Sequence, residues 1–315
     1  MKLFIYEHLT SGALLNAPQS EALLAEGDAM IRAIITDLLQ LGGQIHLLRD
    51  ARLPTFDPHP ALNVQNIHSP QAFLAAWQQT LNNDYPLLLI APETEHILYS
   101  LAQQAEQHHR LILGSTSKAI ALTGDKLACF QQLKKHQLLT ADSYLATDWN
   151  APESAHDWII KPIHGAGCEQ TYRFSASALQ CYIEQLRNPQ AFMVQPYIEG
   201  LNLSLSLCIA GENIELLSVN QQDIACHDHR LSLTHSLPGQ NHLLSSHLAM
   251  RLARSVIRAF PGLNGFIGID LIKQGDKLYI IDINPRLTSA YANPLMRAHR
   301  NPAQFFYKHF HDDNR

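Results

Sequence analysis

The most informative stretch of this 315-residue sequence is GFIGIDLIKQGDKLYIIDINPR, residues 265–286. Its two apolar runs, 265–270 and 278–283, predict two β-strands joined by a short polar connection. In such a hairpin Asp270 comes from the first strand, whereas Asp282 and Asn284, two residues apart, point to one face of the second. The stretch therefore predicts three oxygen donors that converge on one face of a sheet.

Two carboxylates and one amide oxygen suit Mg²⁺, which prefers hard oxygen ligands and completes its shell with water and substrate phosphates. The alternative is an ordinary hairpin with polar residues on its exposed face. The string acid-x-Asn-Pro-Arg at 282–286, directly after four apolar residues, favours the metal site. We predict Asp270, Asp282 and Asn284 as ligands of Mg²⁺, with Mn²⁺ as a substitute.

A second candidate site lies upstream, where the predicted strand 158–161 ends in Lys161 and leads into Gly165-Ala166-Gly167. Glycines let backbone N–H groups approach phosphate oxygens closely, and a lysine adds a compact positive charge. Lys126, near the start of a predicted helix, is a further phosphate ligand. Taken alone, a Gly-x-Gly string is weak evidence and a helix lysine is more often a surface residue.

Composition describes a globular chain with 46% hydrophobic and 16% charged residues, which argues against disorder and a coiled coil. The net charge of −5 and the lack of long Lys/Arg runs argue against a nucleic-acid partner. No run approaches the roughly 20 apolar residues of a membrane span, and residues 1–8 meet a carboxylate too early for a signal peptide. We expect a cytoplasmic protein without a membrane partner.

The five cysteines include no C-x-x-C pair, so the sequence predicts reduced thiols. Only the tract Cys226-His227-Asp228-His229 has the density of a metal site. It is either such a site or an exposed polar loop, and no second cluster supplies the remaining ligands.

The N-terminal part alternates strands and helices. Helical spacing runs from Ala29 to Leu41 and stops at Gly42-Gly43, and further helices are predicted at 70–81 and 94–108. The predicted buried strands are 3–6, 45–48, 87–90 and 111–113. This alternation predicts a doubly wound parallel sheet.

That sheet lacks the G-x-G-x-x-G string of dinucleotide-binding folds, so cofactor binding by this half is not supported. Its strand ends still offer polar side chains for a ligand crevice, unless these are only solvated loop and cap residues. They are Glu7, Ser11, Glu26 and Arg52.

In the second half, the sequence predicts a helix that begins near residues 124–126, followed by a mixed, largely antiparallel sheet. Besides the hairpin and strand 158–161, its predicted strands are 192–195, 201–207 and 214–217. Apolar and polar residues alternate over 201–207, which predicts that one face of this sheet is wet.

These residues in this order resemble the ATP-grasp superfamily from Leu122 to Ser289. The resemblance implies an α/β and α+β fold, in which an N-terminal Rossmann-like (pre-ATP-grasp) domain precedes the ATP-grasp domain. It implies three units: residues 1–115 for the pre-ATP-grasp domain, 116–192 for a small lid subdomain, and 193–315 for a C-terminal subdomain with the metal site.

The resemblance also implies roles for single residues. Lys126 and Lys161 are similar to the two phosphate-binding lysines, Gly165 and Gly167 to the flexible phosphate loop, and Arg286 to the arginine that stabilises the transferring phosphoryl group. Residues 193–200 resemble the hinge that meets adenine. The nucleotide-binding residues implied there are Val194, Gln195, Ile198, Glu199 and Asn202.

Three positions depart from the family pattern. Asn202 stands where a glutamate often holds the ribose, so Glu199 is an alternative ribose contact. Asp282 is one methylene shorter than the usual glutamate ligand. Residues 136–141 lack the glycine and proline that commonly end the helix after the first lysine.

Within the superfamily, the N-terminal part resembles the tyramine–glutamate ligase branch associated with methanofuran-type one-carbon cofactors. The matching residues are 4–7, Gly12, 24–30, Leu38 and 50–52. This implies an ADP-forming ligase that takes ATP, joins a small acid to an amine through an acyl phosphate, and has Arg286, Lys161 and Arg230 in catalysis.

Arg230 would bind the acid or the acyl phosphate, unless it is a surface arginine. Another amino-acid or dipeptide ligase and a non-catalytic ATP-binding sensor are the alternative functions. A homodimer is compatible with the sequence.

Overall fold

The structure, a computed structural model, describes residues 1–18, 20–153 and 156–312. The last three residues of the predicted C-terminal unit thus lie outside the described ranges. The α-helices are α1 (Glu21–Gln40), α2 (Pro70–Leu81), α3 (Ile97–Gln107), α4 (Ser117–Gly124), α5 (Lys126–Lys135), α6 (Ala176–Gln185), α7 (Ser246–Ala259) and α8 (Gln304–Asp312). The strands are β1 (Lys2–Glu7), β2 (Gln44–Asp50), β3 (Leu62–Ile67), β4 (Leu87–Ile90), β5 (Tyr144–Leu145), β6 (Trp158–Pro162), β7 (Tyr172–Phe174), β8 (Phe192–Pro196), β9 (Leu201–Ala210), β10 (Asn213–His227), β11 (Arg230–Leu237), β12 (Gly265–Gln274) and β13 (Lys277–Asn284).

Strands β1 to β4 form a parallel sheet in the order β3-β2-β1-β4, which confirms the predicted N-terminal architecture. Ile5 of β1 pairs with Leu47 on one side and Leu88 on the other. The chain runs outward from β1 to β2 and β3, and β4 then starts on the opposite side of β1. The carboxyl ends of β1 and β4 therefore flank the topological switch point, where open α/β sheets bind ligands.

Two strand assignments in this half differ from the prediction. β3 was missed because half of its residues are polar and half are exposed, as expected at a sheet edge. The predicted strand at 111–113 is reduced to a single bridge between Ile112 and Leu87, because the chain bends away at Gly114.

Helix α1 covers one face of the parallel sheet with an apolar stripe at helical spacing, which includes Ile31, Ile34 and Leu38. The helix ends where predicted. Gly42 takes a φ of +82°, and a Cβ on Gly43 would lie 2.8 Å from the Leu38 carbonyl oxygen. Only glycines fit this tight stop.

The second sheet has the order β13-β12-β9-β10-β11-β7-β6-β8-β5, and its strands pair antiparallel, as predicted. The contact between β11 and β7 is narrow. Its register consists of the single pair Arg230 and Tyr172, flanked by backbone hydrogen bonds from Leu231 to Thr171 and from Arg173 to His229, each 2.8 Å long. One apolar core lies on each side of this seam.

The predicted wet face of 201–207 is wrong. Ser204 and Ser206 are buried, and both accept hydrogen bonds from the amide of Asn220 on β10, at 2.9 and 3.0 Å. The alternation is real, but its polar side forms an internal hydrogen-bonded floor rather than a solvent-exposed surface. Asp270 of β12 pairs with Ser204 in this same sheet.

The two sheets share one apolar core. Ile31 of α1 and Leu47 of β2 lie in the same cluster as Phe266 of β12 and Phe306 of α8. A buried carboxylate, Asp37 of α1, pins this junction. It accepts hydrogen bonds from Tyr291 at 2.7 Å and Arg297 at 2.9 Å. The unit boundaries at residues 115 and 192 stay predictions.

In the described ranges, every helix is too short or too polar to serve as a transmembrane span.

Candidate active site

The strands β12 and β13 form the predicted hairpin, called here the acidic hairpin after Asp270, Asp282 and Asn284. Asp270 pairs directly with Asp282, so the two carboxylates lie on one face of the sheet. The Asn284 side-chain amide donates to Asp270 Oδ2 at 3.1 Å. The register shifts directly after Asp270, a bulge of the kind that re-aims side chains next to functional sites.

Asp270 is held by a residue that the sequence reasoning missed. Gln222 of β10 donates from Nε2 to Asp270 Oδ1 at 2.9 Å. Burial, together with the negative charge of Asp282, raises the pKa of Asp270 to about 6. The hairpin thus holds two carboxylates that repel each other and lack a full complement of positive charge.

Lys126 partly supplies that charge. It is the first residue of α5, whose N-cap Asp125 accepts from the amides of Leu127 and Ala128. Lys126 Nζ lies 3.0 Å from Asp282 Oδ2 and donates to the Gly165 carbonyl at 2.6 Å. Burial alone would lower the pKa of Lys126, but the Asp282 carboxylate outweighs it and the pKa is raised.

Lys161 lies at the end of β6 and is only 6% exposed. Its ammonium donates at 3.5 Å to the Ile281 carbonyl, the residue before Asp282. Burial lowers the pKa of Lys161, which indicates an ammonium with too little negative charge around it. The structure therefore brings Lys126 and Lys161 together with all three residues predicted as metal ligands.

The glycine loop follows β6 and folds over the acidic hairpin. Gly165 is buried, whereas Gly167 has a φ of +65° and open space around it. The neighbouring thiol, Cys168, lies close enough to the hairpin for Asp270 to affect its pKa, which burial raises. A thiol that burial keeps protonated is not an activated nucleophile.

The loop also contacts the N-terminal half. The imidazole of His164 lies 3.2 Å from the Gly124 carbonyl, and its ring centroid is 4.5 Å from that of His96. This contact joins the glycine loop to the turn that follows β4.

The predicted adenine hinge lies in and after β8. Val194 pairs with Ile160 on one side and Tyr144 on the other, within the sheet. Gln195 is buried, and its amide donates to Ser143 Oγ at 2.6 Å. Both side chains are therefore fixed by packing.

Ile198 and Glu199 lie in the turn between β8 and β9, and Asn202 pairs with Ile272 at the start of β9. Gly200 lets this turn pack directly against β12. A Cβ at this position would lie only 2.6 Å from the Lys273 carbonyl oxygen. One side-chain hydrogen bond joins the hinge to the far end of the acidic hairpin, because Gln274 Nε2 of β12 donates to the Glu199 carbonyl at 3.0 Å.

Arg286 follows the acidic hairpin and pairs with Glu93, which the sequence reasoning also missed. Arg286 Nη2 donates to Glu93 Oε2 at 2.9 Å, across 193 residues of sequence. Burial alone would lower the pKa of Arg286, but Glu93 outweighs it and the pKa is raised. We call these two residues the Glu93–Arg286 pair.

Arg230 lies apart from this group. It is exposed at the start of β11, next to the hairpin tip that contains Cys226 and His229. Across the described ranges, no group of three or more His, Cys, Asp or Glu side chains is arranged to hold a metal ion.

Of the four N-terminal candidates, three are fixed by local contacts. Glu7 is buried and accepts from the amides of Leu9 and Thr10, and Arg52 forms a forked pair with Asp50. Ser11 is buried and donates to the His8 carbonyl. Glu26 is exposed, yet it is near enough to Arg286 to help raise the arginine's pKa.

Known protein families match both halves of the chain. The model of the ATP-grasp domain matches residues 123–290, and that of the pre ATP-grasp 3 domain matches residues 44–120. The first match contains both lysines, the glycine loop, the acidic hairpin and Arg286. The second contains Glu93.

Two curated relatives are similar over most of the chain, both named tyramine–L-glutamate ligase. The protein from Methanocaldococcus fervens is 29% identical over 286 residues, which cover 88% of this chain and 85% of that protein. Its counterpart from Methanocaldococcus jannaschii is 28% identical over 280 residues, which cover 88% and 80%. The crystal structure of an ATP-grasp superfamily protein from Archaeoglobus fulgidus is 26% identical with a TM-score of 0.68, and the match covers 96% of this chain and 87% of that one.

Proposed function

The chain belongs to the ATP-grasp family, and we propose that it joins a carboxylate of L-glutamate to the amine of tyramine with ATP and Mg²⁺. It is an ADP-forming carboxylate–amine ligase, and the identity of acid and amine is the proposal. We place the reaction in the assembly of methanofuran-type one-carbon cofactors.

The observation that carries this proposal is the convergence of two lysines on the acidic hairpin. Lys126 contacts Asp282, and Lys161 contacts the backbone of the neighbouring residue. Positive charge for phosphates and oxygen donors for a metal ion thus lie in one place, as phosphoryl transfer requires.

Asp270, Asp282 and Asn284 would hold Mg²⁺. The donor set fits, because it offers oxygen ligands and because the two carboxylates pair directly across the hairpin, with only neutral amides hydrogen-bonded to Asp270 among the described side chains. When bound, Mg²⁺ would neutralise charge on the β- and γ-phosphates of ATP.

Lys126, Lys161 and the loop from Gly165 to Gly167 would hold the phosphates in line with the carboxylate of the acid. Transfer of the γ-phosphoryl group gives an acyl phosphate and ADP. Arg286 would offset the negative charge on the phosphoryl group in the transition state of its transfer. The amine then displaces phosphate and leaves the amide, while the closed glycine loop keeps water from the acyl phosphate.

The remaining assignments concern the ends of the substrates. The hinge residues Val194, Gln195 and Ile198 would contact adenine, with Glu199 or Asn202 on the ribose. Arg230, exposed at the start of β11, would meet the acid or the acyl phosphate only if the hairpin tip moves towards the acidic hairpin.

The test is phosphate release from ATP over a small panel of acids and amines. ATP alone should turn over slowly, and glutamate with tyramine should stimulate release and yield an amide whose mass is the sum of both substrates minus one water. Hydroxylamine should trap the activated acid as a hydroxamate.

Three results would change the proposal. If tyramine is inert but another amine reacts, the ligase class stands and the tyramine branch is wrong. If another acid replaces glutamate, the acid assignment is wrong. If ATP binds but no acid stimulates turnover or forms a hydroxamate, an ATP-binding sensor is the better account.

A further inference from the structure

The turn after β4 places Glu93 at the switch point of the parallel sheet, close to the phosphate site. Gly124 packs against it, since a Cβ on Gly124 would lie 3.6 Å from Glu93 Cβ. Gly124 lies two residues before Lys126, and the charge of Glu93 contributes to the raised pKa of that lysine. Glu93 therefore faces the place where the acyl phosphate would form.

Only half of the Glu93 carboxylate is used. Oε2 accepts from Arg286 Nη2 at 2.9 Å, whereas Oε1 is buried and has no hydrogen-bond partner among the described residues. Nε of Arg286 is likewise buried and has no hydrogen-bond partner among the described residues. Glu93 is 6% exposed, and a carboxylate oxygen buried without a partner is costly unless a ligand satisfies it.

The charge around this oxygen selects the kind of ligand. Three carboxylates, those of Glu93, Glu26 and Asp282, act on Arg286 and help to raise its pKa. These three carboxylates outnumber the two cations on which Glu93 acts, Arg286 and Lys126. An ammonium group is attracted to such a place, whereas an acidic substrate is repelled.

Resting on the proposed ligase function, we propose that Glu93 Oε1 binds the ammonium of the amine substrate and takes its proton as the amine attacks. The nitrogen lone pair freed by this transfer forms the C–N bond with the acyl carbon, and the C–O bond to phosphate breaks. Phosphate leaves with that electron pair and receives the second proton of the nitrogen. Glu93 is protonated by this transfer and releases the proton to solvent after the products leave, while Arg286 Nη2 holds its Oε2 in place.

The test compares two nucleophiles in Glu93→Gln, a substitution that keeps the shape and can still accept from Arg286. Tyramine, like a lysine side chain, is a cation near neutral pH, whereas hydroxylamine is mostly neutral. Amide formation should fall about 100-fold or more, the usual size of a lost general base, while hydroxamate formation stays close to the wild-type rate. Glu93→Asp should recover part of the amide rate.

A parallel loss of both products would overturn the proposal, because it would mean that Glu93 only holds Arg286 in place. Glu95→Gln is the matched control, since it removes an exposed charge from the same turn and should leave both rates unchanged. If the wild-type protein forms no hydroxamate with any acid, it is the ligase function that fails instead.

A second measurement needs no variant. The dimethylated derivative of tyramine is cationic but forms no stable amide, and the alcohol of the same shape is neutral. The cationic compound should inhibit the wild-type protein more strongly than the alcohol. Equal inhibition would overturn the assignment of Glu93 as the ammonium site.

Discussion

The acidic hairpin and the Glu93–Arg286 pair adjoin each other but balance charge in different ways. Asp270 and Asp282 face each other on adjacent strands, with Lys126 as the one cation in direct contact among the described side chains. In the Glu93–Arg286 pair, one carboxylate meets one guanidinium at 2.9 Å, and both are largely buried.

The difference separates two kinds of site. In the hairpin, Asp270 faces Asp282 and accepts hydrogen bonds from the neutral amides of Gln222 and Asn284, so we expect its chemistry to depend on a cation from outside. The two charges of the pair match each other, although Glu26 and Asp282 also act on Arg286, and the pair leaves open one hydrogen-bond acceptor and one donor. Substitutions in the hairpin should therefore change metal dependence, whereas substitutions in the pair should change catalysis at full metal occupancy.

The largest effect is expected for Asp270→Asn. It removes half of the hairpin's carboxylate charge at nearly constant shape, so ATP turnover should become undetectable while the fold remains. Phosphate release and circular dichroism at several Mg²⁺ concentrations check this. Turnover near the wild-type level would remove the hairpin as the metal site.

The second-largest effect on turnover is expected for Arg286→Ala. The loss of an arginine that stabilises a phosphoryl group in flight typically costs about 10³-fold or more in kcat, and ADP affinity should change little because the charge matters mainly during transfer. The variant also leaves Glu93 buried without its partner, so its Tm should fall.

Adding Glu93→Gln to Arg286→Ala should restore part of the lost Tm, because the unpaired charge is then gone. Turnover should not recover. A double variant as unstable as Arg286→Ala would show that the two residues are not energetically coupled.

A smaller effect is expected for Lys161→Ala. A buried charge-assisted contact is worth about 1.5–3 kcal/mol, so the Kd for ADP should rise about 10- to 150-fold in calorimetric titration. The matched control is Lys134→Ala, because Lys134 forms an exposed pair with Asp142 and contributes little. Unchanged affinity in the Lys161 variant would place the phosphates elsewhere.

The smallest effect concerns stability and pH. Burial and Asp282 raise the pKa of Asp270 to about 6, so the folded protein binds its proton more tightly than the unfolded chain. Without metal, the free energy of unfolding should therefore fall as pH rises from about 4 to 6, by on the order of 1–3 kcal/mol.

Mg²⁺ relieves this repulsion, so it should raise Tm more at pH 7 than at pH 5. Thermal unfolding with and without Mg²⁺ checks this, with Asp270→Asn as the control that should lose the dependence. An equal gain in Tm at both pH values would contradict it.

The hairpin could be predicted from sequence because its chemistry is local. Asp282 and Asn284 share a face through the two-residue period of a strand, and the turn returns the chain to Asp270. The roles of these residues, of the lysines and of the hinge stay predictions. The parallel and antiparallel sheets were predicted correctly for the same reason, since each strand pattern is local.

The pair could not be predicted, because nothing near Glu93 in sequence indicates Arg286. Only the meeting of two sheets brings them together. The contact of Gln222 with Asp270 was not predicted for a related reason. A polar residue in the middle of a long strand does not indicate which side chain it contacts. The prediction for the serines of β9 was wrong because alternation identifies two faces of a strand but does not reveal that Asn220 on the neighbouring strand binds both serines.

The narrow register between β11 and β7 has a mechanical consequence. Rotation about this line breaks two backbone hydrogen bonds, whereas separation of β9 from β12 must break a ladder that pairs nine residues of each strand. The seam is thus the most compliant line across the second sheet, and the apolar cores on its two sides can move as intact bodies. Bending there would lift the glycine loop and β6 from the acidic hairpin, and in hydrogen exchange the amides of Leu231 and Arg173 should report each opening.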